Sequence, residues 1–251
     1  MMGTLWDAAP WDFAEVCEPF TRPLYEAALA AAEPLAGRRL LDVGCGAGGA
    51  LALAAGYGAE VTGLDASEPM LAVARERLPA ADLHVGDLQD LPFGDGVFAV
   101  VTAFNAVQYA ADPAAAVAEL ARVTGPGGLV VIGVWAGPER CETEALFQRI
   151  RALVSAAGDP LALSAAGVVE QLLVTAGLTV TGFGEVPCPF TYPDLETGWR
   201  GQSSIGPLRR AIDVAGESAV REVFAEVLAG HRQPDGSYRQ DNVFRYVSAS
   251  R

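Results

Sequence analysis

Lysine is absent from this sequence of 251 residues, because all 17 basic residues are arginine. Pyridoxal-phosphate and Schiff-base enzymes, Walker-type nucleotide-binding proteins and protein kinases need a lysine, so these classes are excluded. Basic residues are also outnumbered by 31 acidic ones, which gives a formal net charge of −14. Since phosphate backbones are bound by clustered basic side chains, we expect no nucleic-acid partner.

Cysteine and histidine are also scarce. None of the four cysteines belongs to a Cys-x-x-Cys pair, and the only two histidines are His84 and His231. A structural zinc site needs clustered soft ligands, which this spacing does not provide. We therefore expect neither a bound metal nor a disulfide framework.

Targeting and membrane-spanning segments are missing as well. The N-terminal residues lack the basic and apolar regions of a signal peptide. The longest nearly apolar run, 97–111, is interrupted by Asn105 and Gln108 and is too short to span a bilayer. These absences predict a cytoplasmic protein with no membrane partner.

Apolar residues, by contrast, are abundant: hydrophobic residues make up 51% of the chain and charged residues 19%. This composition is sufficient for a large core. In the first half of the chain, short apolar runs typical of buried strands alternate with segments of helical spacing. Strands are predicted at 39–43, 60–64, 82–85, 97–102 and 129–135, and helices at 50–56, 69–78 and 113–123. The alternation predicts an α/β fold with a parallel sheet covered on both faces.

The pattern changes after residue 135. Helices are predicted at 142–157, 167–176 and 217–229, and strands at 178–185 and 244–248. The intervening residues, 190–240, form a predicted insertion before the last strand, and insertions of this length usually carry function. The predicted organisation is an N-terminal helical lid at 1–36, a core at 37–189 and 241–251, and a substrate-binding cap at 190–240.

A glycine loop follows the first predicted strand, in the segment LLDVGCGAGG at 40–49. Gly44, Gly46 and Gly49 fit the dinucleotide-binding pattern G-x-G-x-x-G. Asp42, at the end of the strand, argues against a dinucleotide, because its carboxylate would repel a pyrophosphate at the helix N-terminus. A ligand that bears an ammonium group and no phosphate would be attracted instead.

Two further acidic residues follow the second and third predicted strands. Asp65 is placed to accept hydrogen bonds from two ribose hydroxyls, and Asp87 from an adenine amino group. Because the carboxyl ends of neighbouring parallel strands meet at one crevice, Asp42, Asp65 and Asp87 should surround one ligand. A cationic adenosine derivative without phosphate, S-adenosylmethionine, fits this description.

The motifs of residues 40–135 resemble those of class I S-adenosylmethionine-dependent methyltransferases, in the type 11 group that includes ubiquinone-biosynthesis-like enzymes. The segments that carry the resemblance are LLDVGCGAGG, VTGLDASEPML, GDLQDLPF and ELARVTGPGG, in the family's order and spacing. The resemblance implies a three-layer Rossmann-like fold, whose mostly parallel seven-stranded sheet has one antiparallel strand. The insertion adds a small helical cap before the last strand.

The resemblance also implies a cofactor site. Its predicted residues are Arg22, Asp42, Gly44, Cys45, Gly46, Asp65, Ala66, Met70, Asp87, Leu88, Phe104 and Asn105. For Arg22, the alternative is an arginine on the surface without a role in binding. The chain departs from the family where an aspartate early in the fourth strand is replaced by Ala99. The Asn/Asp-Pro-Pro-Tyr signature of methylation on nucleic-acid bases is absent.

The resemblance implies methyl transfer by in-line displacement, which needs alignment and exclusion of water more than it needs a base. Tyr109 and His231 are the candidate catalytic bases. The alternative for His231 is a structural role, in which its cation interacts with the C-terminal end of the preceding helix. The candidate substrate pocket consists of Gln108, Tyr109, Trp135, Phe190 and Trp199. These side chains favour a small, partly apolar metabolite, such as one of specialised natural-product biosynthesis, methylated on O, N or C.

Two other functions remain as alternatives. A relative of this fold can bind the same cofactor without transferring methyl, as a cyclase or a regulatory module, and the motifs do not separate it from a transferase. An NAD-dependent oxidoreductase is disfavoured by Asp42 and by the missing lysine. The oligomeric state is open, with a homodimer as one alternative.

Overall fold

The computed structural model describes residues 3–154 and 159–251. The strands are β1 (Arg39–Val43), β2 (Glu60–Asp65), β3 (Asp82–Val85), β4 (Phe98–Phe104), β5 (Thr124–Trp135), β6 (Thr179–Pro187), β7 (Phe190–Tyr192), β8 (Tyr238–Gln240) and β9 (Val243–Ser250). Seven of them form one sheet in the order β3-β2-β1-β4-β5-β9-β6, in which β9 runs antiparallel to both neighbours. The predicted seven-stranded sheet with one antiparallel strand is confirmed.

Both faces of this sheet are apolar. Leu40 and Val100 belong to one buried cluster, whereas Leu41 and Val101 belong to a second cluster on the opposite face. Successive side chains of a strand point to opposite faces, so a strand that is buried on both sides is apolar throughout. This explains why the central strands appear in the sequence as continuous apolar runs.

Helices cover the two faces and form the remaining layers. They are α1 (Pro10–Asp12), α2 (Arg22–Ala31), α3 (Gly49–Gly56), α4 (Glu68–Arg77), α5 (Pro113–Val123), α6 (Glu144–Leu153), α7 (Val168–Thr175), α8 (Leu195–Gln202), α9 (Gly206–Ala215) and α10 (Glu217–Ala229). Leu24 of α2 and Leu51 of α3 pack in the first apolar cluster, and Leu120 of α5 and Leu173 of α7 in the second. No helix within the described ranges has the length and apolar character that a membrane crossing requires.

The predicted lid at 1–36 separates into two parts. Phe13–Cys17 form a π-helical turn and Glu18–Thr21 a 3-10 turn, and this part contacts the glycine loop through Phe13 and Glu18. Helix α2 instead packs against α3, β5, β6 and β9. It therefore belongs to a helical layer of the core, and only the residues before it lie over the loop.

The insertion at 190–240 contains α8, α9 and α10, enclosed between the two short strands β7 and β8. These strands pair as a separate antiparallel sheet, which the sequence did not predict because each has only three residues. Helix α8 packs on the π-helical turn, where a Cβ at Gly201 would lie 2.5 Å from Cγ1 of Val16. The cap and the N-terminal segment therefore contact each other above the sheet.

Two predicted elements differ most in their bounds. The strand predicted at 129–135 is β5, which already begins at Thr124, because an irregularity in the pairing with β4, between Phe98 and Val100, accommodates the extra residues. The helix predicted at 142–157 is α6, which begins at Glu144 and ends at Leu153. Residues 155–157 of that prediction lie outside the described residues.

The two parts of the N-terminal region should differ in their contribution to stability. Leu24→Ala in α2 removes a completely buried side chain and should lower the free energy of unfolding by about 2–5 kcal/mol. Trp11→Ala in α1 removes a side chain that is 45% exposed and should cost less than about 1 kcal/mol. Chemical denaturation of both variants measures this difference, and equal losses would contradict the assignment of α2 to the core.

Candidate functional site

The strand order places a crevice where β1 has β2 on one side and β4 on the other. In open α/β sheets, ligands bind at such switch points, outside the carboxyl ends of the strands. A cavity of about 190 Å³ lies there. It is lined by the glycine loop after β1, by Asp65 and Ala66 at the end of β2, and by Asn105 and Ala106 after β4. The sequence prediction of a ligand site at these strand ends therefore coincides with a cavity.

The glycine loop has a backbone that only glycine adopts readily. Gly44, Gly46 and Gly48 have φ angles of +76°, +53° and +86°. At Gly44 an added Cβ would lie 2.4 Å from Cβ of Ala106, so the loop approaches the segment after β4 too closely for any side chain. The loop is also bound to β2, because the N–H groups of Gly44 and Cys45 both donate to the carbonyl of Leu64. The chain therefore brings three strand ends into contact at this point.

Asp65 lies at the centre of this junction. Its Oδ2 accepts a hydrogen bond from Gly46 N–H and its Oδ1 accepts one from Ser67 N–H, each at 2.8 Å. Burial nevertheless raises the pKa of Asp65 above its usual value, against the lowering effect of these bonds. Each carboxylate oxygen has a further lone pair, so the group can still accept hydrogen bonds from a ligand.

Asp42 is buried beneath the loop and does not line the cavity. Its Oδ1 accepts a hydrogen bond from Oγ1 of Thr102 at 2.6 Å. Burial raises the pKa of Asp42 from 3.8 to about 7, and the negative charges of Asp65 and Glu18 contribute to the rise. Asp42 is therefore placed to influence the cavity through its charge and not through direct contact.

Glu18 is a site residue that sequence reasoning missed. Its Oε1 accepts a hydrogen bond from Gly49 N–H at the first residue of α3, at 2.8 Å, and its other oxygen binds Arg77. The side chain is buried and lines the cavity, and burial raises its pKa. Glu18 precedes Gly49 by 31 residues, so no local pattern in the sequence indicated the contact.

The part of the cavity wall near β2 and α4 is mainly apolar and is called the cofactor end below. Ala66, Met70 and Leu88 line it as predicted, and Phe13 and Trp6 of the N-terminal segment close it. The rings of Trp6 and Phe13 meet edge to face, with 5.5 Å between their centroids. A flat aromatic group fits between such surfaces.

Asp87 does not join the other acids. It is exposed, lies outside the cavity lining, and its Oδ1 accepts a hydrogen bond from Gln89 N–H at 2.9 Å. The prediction that Asp87 reads an adenine edge is therefore not supported by its position. The physical reason is local, because the turn after β3 uses this carboxylate to bind its own backbone.

A second part of the cavity wall is aromatic, and it is called the aromatic end below. Its lining residues are Trp135 and Phe190, predicted for the substrate pocket, Tyr109, whose ring also contacts Trp6 at 5.6 Å between centroids, and Phe104 and Asn105, predicted for the cofactor. The indole of Trp135 packs on the ring of Phe244 in β9, with 4.2 Å between centroids, and on the ring of Phe147 in α6, with 5.6 Å between centroids. This end can therefore accommodate a largely apolar molecule.

Four predicted residues lie elsewhere. Arg22 binds Glu26 at 2.7 Å, and its side chain is 63% exposed. Gln108 is buried beside Asn105, and Trp199 packs on Phe224. His231 lies 3.4 Å from Oε2 of Glu142. None of the four lines the cavity, because each is engaged by neighbours in its own part of the fold.

These positions bear on the candidates for a catalytic base. Tyr109 lines the cavity, whereas His231 lies outside its lining. Burial raises the pKa of Tyr109 further above its usual value, so the phenol keeps its proton at neutral pH. Tyr109 is thus placed to contact a ligand or donate a hydrogen bond, and not to act as a base.

The buried Asp42 should make stability depend on pH. Between about pH 4 and pH 7 the folded protein holds a proton on Asp42 that the unfolded chain has lost, so stability falls as pH rises. One such proton changes the free energy of unfolding by up to about 1.4 kcal/mol per pH unit. Asp42→Asn cannot titrate and should lose less stability over this range in denaturation measured at several pH values.

Thr102→Val provides a variant with the opposite expected effect. It removes the hydrogen bond that lowers the pKa of Asp42, so the loss of stability should continue above pH 7. If the protein, Asp42→Asn and Thr102→Val all show the same dependence on pH, the assignment of this titration to Asp42 is wrong.

Comparison with known proteins places this geometry in a family. Residues 41–132 match the family model described as a methyltransferase domain. A dTDP-3-amino-3,4,6-trideoxy-alpha-D-glucopyranose N,N-dimethyltransferase of Streptomyces venezuelae is 44% identical over 103 residues, which cover 40% of this chain and 44% of that protein. A malonyl-[acyl-carrier protein] O-methyltransferase of Erwinia pyrifoliae is 35% identical over 170 residues, which cover 67% of this chain and 62% of that protein. The chain thus spans about half the length of these curated relatives.

The fold agrees with this result. A solved structure from Bacillus halodurans, assigned to the methyltransferases, aligns with a TM-score of 0.65 and 18% identity over 90% of this chain and 97% of that one. At this identity the likeness concerns the fold alone. Together with the motifs at 40–135, the matched domain and its relatives show that residues 41–132 belong to the type 11 methyltransferase-domain family.

Proposed function

We propose that this chain transfers the methyl group of S-adenosylmethionine to an O, N or C atom of a small, partly apolar metabolite. One observation carries the proposal: the buried carboxylates of Glu18 and Asp42 and the partly buried carboxylate of Asp65 surround the glycine loop, and desolvation raises the pKa of each. Among the described residues that line the cavity, none is Arg or His. Buried negative charge without a cation in the cavity favours a positively charged ligand.

The residues present fit this cofactor. Asp65 has lone pairs left for ribose hydroxyls, and the glycine loop supports the methionine part through Gly44, Cys45 and Gly46. The adenine part lies at the cofactor end of the cavity, against Ala66, Met70 and Leu88. Arg22 and Asp87 are left out of this proposal because they lie outside the cavity.

A dinucleotide fits less well, for a reason that the sequence did not reveal. The N-terminus of α3 is where a pyrophosphate binds in dinucleotide enzymes. Here the carboxylate of Glu18 already accepts a hydrogen bond from Gly49 N–H at that position. A second anion there would be repelled, which extends the argument first made from Asp42.

When bound, S-adenosylmethionine supplies a methyl group on a positively charged sulfur, which is a good leaving group. The chain's own contribution is alignment and exclusion of water. Trp6 and Phe13 close the cavity from the N-terminal segment, and Trp135 and Phe190 form the apolar wall at the other end. Tyr109 keeps its proton, so the proposal uses no tyrosinate base.

The relatives leave the acceptor open. Their names refer to a dTDP-linked amino sugar and to a malonyl group on an acyl-carrier protein, and the matches cover only part of each protein. The proposal of a small metabolite is supported by the size and aromatic lining of the cavity. A cytoplasmic location is supported by the four cysteines, all free and buried.

Cofactor binding tests the first half of the proposal. S-adenosylhomocysteine should bind in calorimetry and NADH should not. Asp65→Ala should weaken S-adenosylhomocysteine binding about tenfold or more, because a partly buried acceptor is lost. Asp82→Ala serves as the matched control. The carboxylate of Asp82, the first residue of β3, is 71% exposed, so its removal should leave the affinity for S-adenosylhomocysteine unchanged. Unchanged affinity in Asp65→Ala, or tighter binding of NADH, would contradict the cofactor assignment.

Transfer itself requires a separate measurement. Incubation with cofactor labelled on the methyl group and a metabolite extract should yield a labelled small molecule and S-adenosylhomocysteine. Cofactor binding without any labelled product would favour a relative that binds the cofactor and does not transfer methyl.

A further inference from the structure

A single buried amide adjoins the aromatic end of the cavity. Gln202, the last residue of α8, lines the cavity and is 1% exposed. Its Nε2 donates a hydrogen bond to Oη of Tyr192 at 2.8 Å. Its Oε1 is buried and has no hydrogen-bond partner among the described residues. The amide is therefore held at one end, and its oxygen is an unpaired acceptor at the other.

Several buried side-chain atoms lack a hydrogen-bond partner among the described residues, but of the residues that carry them Gln202 is the one that lines the cavity. Its partner Tyr192 is itself buried and packs edge to face on Phe20, with 5.3 Å between the ring centroids. Leaving a buried polar atom unpaired costs free energy. A donor on a bound molecule would satisfy Oε1 and remove that cost.

The charge of the cavity restricts what this molecule can be. The charged side chains that line it within the described residues are Glu18 and Asp65, both carboxylates at the cofactor end. Near Gln202 the lining is apolar, with Phe190, Ile205 and Phe244. A phosphate or carboxylate on the acceptor would lose its hydration without gaining a cation, which is costly.

We propose that the acceptor is an uncharged, largely apolar molecule that carries a hydroxyl or N–H group, and that this group donates a hydrogen bond to Oε1 of Gln202. Gln202 is then a specificity-determining residue, which selects acceptors with a donor at that position. This inference rests on the proposed function, because it assigns the aromatic end of the same cavity to the acceptor.

Three probes of one shape test the proposal, each titrated in the presence of saturating S-adenosylhomocysteine. 2-Naphthol carries a donor, 2-methylnaphthalene has a methyl group of similar size in its place, and 2-naphthyl phosphate is charged. We expect 2-naphthol to bind more tightly than 2-naphthyl phosphate. The affinity ratio of 2-naphthol to 2-methylnaphthalene should fall about tenfold in Gln202→Leu, as expected for one buried hydrogen bond.

Gln240→Leu is the matched control. Gln240 is buried to the same extent and both of its amide atoms lack partners, but it does not line the cavity. Its replacement should leave the affinity ratio unchanged. Both variants should keep the affinity for S-adenosylhomocysteine, which shows that they fold.

Each contrary result has a definite meaning. An affinity ratio that is the same in Gln202→Leu and in the unchanged protein overturns the role of Gln202. Preference for 2-naphthyl phosphate overturns the uncharged class of acceptor. Failure of every probe to bind while S-adenosylhomocysteine binds overturns the acceptor site, whereas failure of S-adenosylhomocysteine itself contradicts the proposed function instead.

Discussion

The carboxylate of Asp65 is the group on which the geometry of the site depends. Through two hydrogen bonds it joins the glycine loop after β1, at Gly46, to the start of α4, at Ser67. The two bonds use the two separate oxygens of the carboxylate, so a side chain without two such oxygens could not make both in this geometry. The residues that line the cofactor end lie directly beside these junctions, so the position of the cavity follows from the ends of β1 and β2.

The same burial that fixes this geometry makes negative charge costly. Asp65 and Glu18 lie close enough for their charges to raise the pKa of Asp42, and of the three carboxylates Arg77 binds that of Glu18. A cationic ligand in the cavity would favour the ionised forms, so ligand binding and ionisation would support each other. An anionic ligand would have the opposite effect, which is why the carboxylates decide more than the glycine pattern does.

Sequence reasoning succeeded where the signal is local. The buried strands appear as apolar runs, and the loop after β1 needs glycine because of its backbone angles and the approach of Ala106. It failed where contacts join distant parts of the chain. Glu18 reaches Gly49 across 31 residues, and Gln202 becomes notable only when its unpartnered oxygen is seen. Asp87 shows the same limit, because an acid after a strand can also bind its own turn, as its contact with Gln89 N–H does here.

The division of the cavity explains why family membership does not identify the acceptor. The cofactor end is formed largely within 41–132, the segment that matches the methyltransferase-domain model. The aromatic end is formed partly by Phe104, Asn105 and Tyr109 within that segment, and partly by Trp135, Phe190, Gln202 and Phe244, which lie outside it. Under the proposed assignment of the aromatic end to the acceptor, residues 190–240 and the last strands contribute to acceptor choice, and the amide of Gln202 supplies its polar part. A change confined to 190–240 is then expected to alter the acceptor while the carboxylates around the glycine loop keep the cofactor.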